Sequence, residues 1–198
     1  MALKQRNTTR WIARVGTWIK AAIHFIAEVL ESFLNFKEGD GLREKGVKTS
    51  DLVARRIVYF AVDYSITIVS VSIGVAMKVL GFSLLAMFGI LWIFDFVVAG
   101  LFVAIYEMTE KDLSLGVDFR RAVDTMNKKS RPLALLTTLG ITFLAIVWTG
   151  PEKIITFFRK EIGTIERLIA VLMVLTAIQA FLWAALYSFA YDLVAKLF

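Results

Sequence analysis

Two carboxylates sit where a lipid-facing chain has least reason to keep them. Asp63 and Asp95 each interrupt a long apolar run, and a charge at the centre of a membrane helix costs about 2.5–3.5 kcal/mol on insertion scales. Acids retained at such depth hold or relay protons or cations when they face a polar interior. Asp63, Thr67, Ser70, Gly74 and Lys78 recur at steps of four, three, four and four, which makes one polar stripe along a helix. The Asp95 face is otherwise apolar and aromatic, through Leu85, Phe88, Trp92, Ala99, Phe102 and Tyr106. Later in the chain Thr138, Thr142, Thr149, Thr176 and Gln179 supply further groups for a narrow polar interior. Asp63, Asp95, Thr67 and Ser70 are therefore the candidate ion or proton pathway. The structural alternative pairs Asp63 with Arg55 or Arg56 at the headgroup level and bonds Asp95 to a Thr or Gln of a neighbouring helix.

Other chemistries lack their residues. With one His and no Cys, the spans offer no Ser–His pair, no His cluster for zinc or haem and no thiolate nucleophile. The Gly-x-Gly-Asp pattern of intramembrane aspartyl proteases and a Gly-rich phosphate loop are missing too. No enzyme activity, metal or cofactor is expected, and His24 reads as a polar-face residue.

Elements able to hold the acids in place follow from composition. The chain has 198 residues, 58% hydrophobic with 16 Phe, and a mean hydropathy of +0.70; its solvent is mostly lipid. Crossing a hydrocarbon core of about 30 Å takes roughly 20 helical residues. Four apolar runs qualify, at 57–80, 83–106, 133–150 and 168–191. The fold class expected is an all-α membrane protein with four transmembrane helices in two hairpins, 57–106 and 133–191, preceded by an amphipathic interfacial helix. In the second hairpin the segment 151–165 is expected at the outer interface, with Pro151 and Glu152 opening a short helix that turns Ile154, Ile155, Phe157, Phe158 and Ile162 toward lipid; alternatively Pro151 kinks a longer third span.

Basic residues orient the arrangement. Residues 1–56 hold 11 Lys and Arg, 107–131 hold 6 and the tail after Tyr191 holds 1, against 1 in the first hairpin turn and 4 between Gly150 and Arg167. This predicts both termini in the cytoplasm, Tyr59, Tyr106, Tyr187 and Tyr191 at the inner interface, Trp148 at the outer one, and a prokaryotic cytoplasmic membrane as the setting.

Within residues 1–36, Arg10, Arg14, Thr17, Ala21, His24, Glu28, Glu31 and Asn35 share one face of a helix, opposite Trp11, Val15, Trp18, Ala22, Ile26, Val29, Leu30 and Phe33. Arg10, Trp11, Arg14 and Trp18 suit a membrane surface with anionic headgroups; the helix is an anchor or a docking element for a partner. Residues 37–56 read as a polar linker and helix start, with Ser50 and Asp51 as cap and first turn. The basic loop 107–132 carries Val117, Ala122, Val123 and Met126 at helical spacing, ringed by Asp118, Arg120, Arg121 and Asp124. In the last span Ala177, Ala180, Ala184 and Ser188 form a small-residue packing face, ahead of the tail 192–198.

Arg56 stands seven residues ahead of Asp63 at the start of the first span, a spacing that resembles the opening helix of the RDD family of small membrane proteins. The resemblance is confined to that helix start, since the family's Gly-Lys pattern after the second span is absent. The expected function is a non-catalytic membrane subunit or scaffold that assembles with itself or with partner proteins; the alternative is an oligomeric channel or ion-coupled transporter using Asp63 and Asp95. The net charge of +6 is accounted for by topology and lipid, so nucleic acid is not an expected partner.

Overall fold

The computed structural model describes residues 2–37 and 39–196, apart from the side chains of residues 2–16, 19 and 195. The described chain is all-helical, without a strand. Its elements are α1 (Ala2–Phe33), α2 (Leu42–Val79), α3 (Leu84–Thr109), α4 (Gly116–Lys129), α5 (Arg131–Leu144, extended by a wide π turn over Ala145–Thr149), α6 (Glu152–Phe157), α7 (Arg159–Ile162) and α8 (Ile165–Ala195). Four helical stretches are long and apolar enough to cross a membrane: Leu42–Val79, Leu84–Thr109, Arg131–Thr149 and Ile165–Val194.

Local chemistry sets the turns. After α2 the Phe82 N–H donates to Met77 O and the Gly81 N–H to Lys78 O, both at 3.0 Å, with Gly81 at φ +77°. This left-handed cap closes the helix within two residues, and the Ser83 hydroxyl then accepts from the Ala86 N–H at 3.3 Å to start α3. The α2 helix begins earlier than the expected cap at Ser50. It opens at Leu42, where the Gly41 N–H donates to the Glu44 carboxylate at 3.4 Å, so most of the polar linker is the first turns of the same helix.

The second expected hairpin is replaced by another arrangement. Arg159 grips Glu107, in the last turn of α3, through two hydrogen bonds of 2.5 and 2.9 Å, and Arg120 of α4 meets Glu161 at 2.5 Å. Phe157 packs with Val123 and Ala134, at the start of α5. The stretch α5–α7 therefore enters the bundle and leaves it at the same end. Its turn is Gly150, at φ +93° and ψ 143°, a conformation open only to glycine, and this turn is followed by Pro151, which starts a new helix rather than kinking the old one.

Consequently α8 begins beside the end of α3 and runs antiparallel to it. Leu172 packs with Ala99, and Ala180 and Ala184 with Leu91 and Met87. At the far end Lys78 donates to Ser188 at 2.8 Å and pairs with Asp192 at 3.1 Å, so α8 ends next to the α2–α3 turn. Tyr187 therefore sits near Gly74, away from Tyr59 and Tyr106. Ile154, Ile155, Phe157 and Ile162, expected toward lipid, are buried at 9% exposure or less against α3, α4 and α8; the hydrophobic effect acts on them inside the protein.

Gly116 permits this packing. A Cβ there would meet Thr156 Oγ1 at 2.0 Å, the Lys153 carbonyl oxygen at 2.5 Å and the Phe157 nitrogen at 2.9 Å. On the other face of α4 lies α1: Phe33 rests on Phe119 with ring centroids 5.3 Å apart, and Ser32 donates to Arg121 O at 2.9 Å and bonds Thr125 at 2.7 Å. The Trp18 side chain is exposed. The membrane-surface residues Arg10, Trp11 and Arg14 have side chains outside the described set.

Candidate functional site: an acidic cavity over the Gly150 turn

Because α2 and α8 run parallel and α3 opposes both, Asp63 and Asp95 arrive at one level of the bundle. Together with Thr67, Ser70, Gln179 and Glu152 they line a cavity of about 70 Å³, closed on one side by Trp148, Gly150 and Pro151. The whole α2 stripe is used: three of its residues face the cavity, Gly74 lets the Tyr187 ring approach, and Lys78 ties the far end.

Neither Asp63 nor Asp95 has a hydrogen-bond or ion-pair partner among the described residues. No direct ion pair joins Asp63 to Arg55 or Arg56, although the Lys153 ammonium and the Arg56 guanidinium both act on its charge. Arg55 instead turns to Asp51 at 3.1 Å, Asp118 at 3.6 Å and the Asp112 carbonyl at 2.9 Å, while Arg56 lies over the rings of Phe60 and Tyr59, 4.0 and 5.4 Å from their centroids. Thr176, one of the groups expected to bond Asp95, is occupied by Leu172 O at 2.8 Å and the Trp92 indole at 3.2 Å. Gln179 is 9% exposed and equally without a partner among the described residues. Three polar side chains without a protein hydrogen bond in an apolar bundle require water or a ligand to be satisfied.

A second group of buried residues, invisible as a site in the sequence, supports the cavity floor. Tyr59, 1% exposed, donates to Glu152 Oε1 at 2.7 Å and lies within bonding range of Thr149 O. Glu152 and Lys153 are each 4% exposed. The Lys153 ammonium lies 5.6 Å from the Tyr59 ring and 5.9 Å from that of Phe119. The sequence carried one signal for them: a Gly-Pro-Glu-Lys run directly after an apolar stretch at the short end of what spans a bilayer.

Below the floor, Asp112 organises the turn into α4. Its carboxylate accepts from the Ser114 N–H at 2.9 Å, the Ser114 hydroxyl at 2.6 Å and the Val117 N–H at 2.7 Å, and Ser114 bonds Thr156 of α6 at 3.0 Å. Asp118, expected on the solvated ring of this helix, is buried between Arg121 and Arg55. Its burial pushes the carboxyl pKa up, against the opposing pull of the two guanidinium groups. The small-residue face of α8 is spent within the chain, with Ala180 and Ala184 fully buried against α3 and Ser188 bonded to Lys78.

Among the described residues no three of His, Cys, Asp and Glu come close enough together to hold a metal ion. The cavity has room for several water molecules, each needing about 10–15 Å³ of such space. Fold and site thus define a helical protein with the dimensions of a multi-pass membrane protein and an acidic cavity inside its apolar bundle. Comparison with protein-family models, curated proteins and solved structures finds no match.

Proposed function

We propose that this is a membrane protein that moves protons, or a hydrated cation in exchange for them, through the cavity lined by Asp63 and Asp95. The observation that carries this reading is that two carboxylates face one small cavity without a hydrogen bond or direct ion pair to any described residue. A packing role would leave each acid bonded to a neighbouring side chain. Water in the cavity would accept and donate in turn, which suits proton relay between the two acids, and among the described residues no three acids stand close enough to chelate a metal ion directly.

The membrane placement that goes with this function has α2, α3 and α8 crossing the bilayer and α5–α7 dipping in from one side. Non-helical backbone at the Gly150 turn is tolerable at such depth because it is held against protein and a polar cavity. Residues 37–56, 107–131 and 151–167, which stand at one end of the bundle, hold 6, 6 and 4 of the Lys and Arg, against Lys78 and Lys196 at the other end. That asymmetry supports a cytoplasmic basic end in this proposal. With three crossing helices per chain, a pathway through several copies is part of the proposal.

The assay is proton uptake by liposomes carrying the purified protein and an internal pH dye, with an imposed potential. Asp95→Asn should lower the rate at least about tenfold while the protein still reconstitutes. Flux through Asp95→Asn equal to wild type refutes the pathway. The scaffold reading retains one observation of its own, the exposure of Trp18, Ile23, Ile26 and Leu30 on α1; it predicts no flux at all and loss of a stoichiometric partner on deleting residues 1–36.

A further inference from the structure

A groove of about 650 Å³ opens between α4, α5 and the α6–α7 return, at the basic end of the bundle and separate from the acidic cavity. Its floor is apolar, built from Val123, Ala134, Leu135, Phe157 and Phe158. The rim is charged in two opposite senses. Arg120 is shared between Asp124 at 3.0 Å and Glu161 at 2.5 Å, which leaves that corner one negative charge in excess. Arg131, exposed in the first turn of α5, has no ion-pair or hydrogen-bond partner among the described residues and lines the same groove.

An apolar slot with a free guanidinium at one place on its rim and surplus carboxylate at another fits a particular class of amphiphile. The guanidinium fork matches a phosphate, the surplus carboxylate matches a primary ammonium, and the aromatic floor matches an acyl chain. An anionic phospholipid satisfies Arg131 but sets its negative headgroup beside Asp124 and Glu161, a like-charge arrangement. A peptide would bring main-chain groups to a floor with little to bond them. We propose that this groove binds one zwitterionic phospholipid whose phosphate meets Arg131 and whose primary ammonium meets Asp124 and Glu161. The basic residues of α1 remain the place for anionic headgroups; the groove selects differently because its rim is charge-balanced.

The test is native mass spectrometry of the detergent-purified protein titrated with phosphatidylethanolamine, phosphatidylcholine and phosphatidylglycerol of identical acyl chains. One phosphatidylethanolamine adduct should form about tenfold more tightly than either of the others, since choline has no N–H to donate and glycerol has no positive charge. Arg131→Gln should weaken that adduct about tenfold, Asp124→Asn should reduce its advantage over phosphatidylglycerol, and Leu135→Trp should fill the slot and remove it; Arg131, Asp124 and Leu135 are all exposed. Phosphatidylglycerol binding as tightly as phosphatidylethanolamine to the wild type overturns the proposal without any variant. So does an adduct unchanged by both Arg131→Gln and Leu135→Trp.

Discussion

Gly116→Ala separates the fold described here from the two-hairpin arrangement by the sign of its effect. If residues 152–157 stood at the far side of the membrane, Gly116 would begin a surface helix, and alanine would stabilise it by up to about 1 kcal/mol through helix propensity. In the structure the new Cβ would lie 2.5 Å from the Lys153 carbonyl oxygen and 2.9 Å from the Phe157 nitrogen. Both are backbone atoms of α6, so relief requires α4 and α6 to separate by about 1 Å, and that motion also strains the 3.0 Å bond between Ser114 and Thr156. Overpacking of this kind costs about 1–3 kcal/mol, more than the propensity gain. The expected net loss of about 1–2 kcal/mol lowers the unfolding midpoint by about 2–8 °C for a chain of this size. Thermal unfolding followed by circular dichroism in a mild detergent reads it directly. Adding Thr156→Ala removes the 2.0 Å side-chain clash but neither backbone contact, so it should restore only part of the loss. A Gly116→Ala protein as stable as wild type, or more so, refutes the return of α6 onto α4.

The absence of native cysteine makes sidedness directly measurable: single cysteines at Lys111 and Lys160 should react with an impermeant thiol reagent from one side of sealed vesicles, and those at Phe82 and Lys196 from the other. Labelling of positions 160 and 82 from the same side would restore the two-hairpin topology. Tyr59→Phe removes the hydroxyl that donates to Glu152 and leaves that buried carboxylate without its donor; a loss of about 1–3 kcal/mol is expected, measured as a lowered unfolding midpoint, with Tyr59→Phe/Glu152→Gln losing less than the single change.

Helix content, the apolar runs and the polar stripe from Asp63 to Lys78 were legible in the sequence because they depend on local spacing. A stripe at helical steps faces protein whichever helix supplies it, so Asp63, Thr67 and Ser70 were recognisable before their partners were known. Asp95 was recognisable from the cost of a carboxylate in an apolar run. The tight α2–α3 turn was equally local, since Gly81 must follow a helix end for the chain to reverse there.

The path of residues 131–165 was decided only by tertiary structure. The 18-residue, mostly apolar run from Leu133 to Gly150 satisfies the length of a short crossing and of a deep re-entrant segment alike, because hydropathy measures how apolar a stretch is and not where its end goes. What distinguishes the two is long-range: Glu107 with Arg159, Arg120 with Glu161, and the space above Gly116 that α6 occupies. The four basic residues between Gly150 and Arg167 were a hint of the same placement, weak until those contacts moved them to the basic end. Glu152 and Lys153 were unreadable as buried groups for the same reason, since burial belongs to the neighbours that surround a residue, and theirs come from α2, α3, α4 and α8.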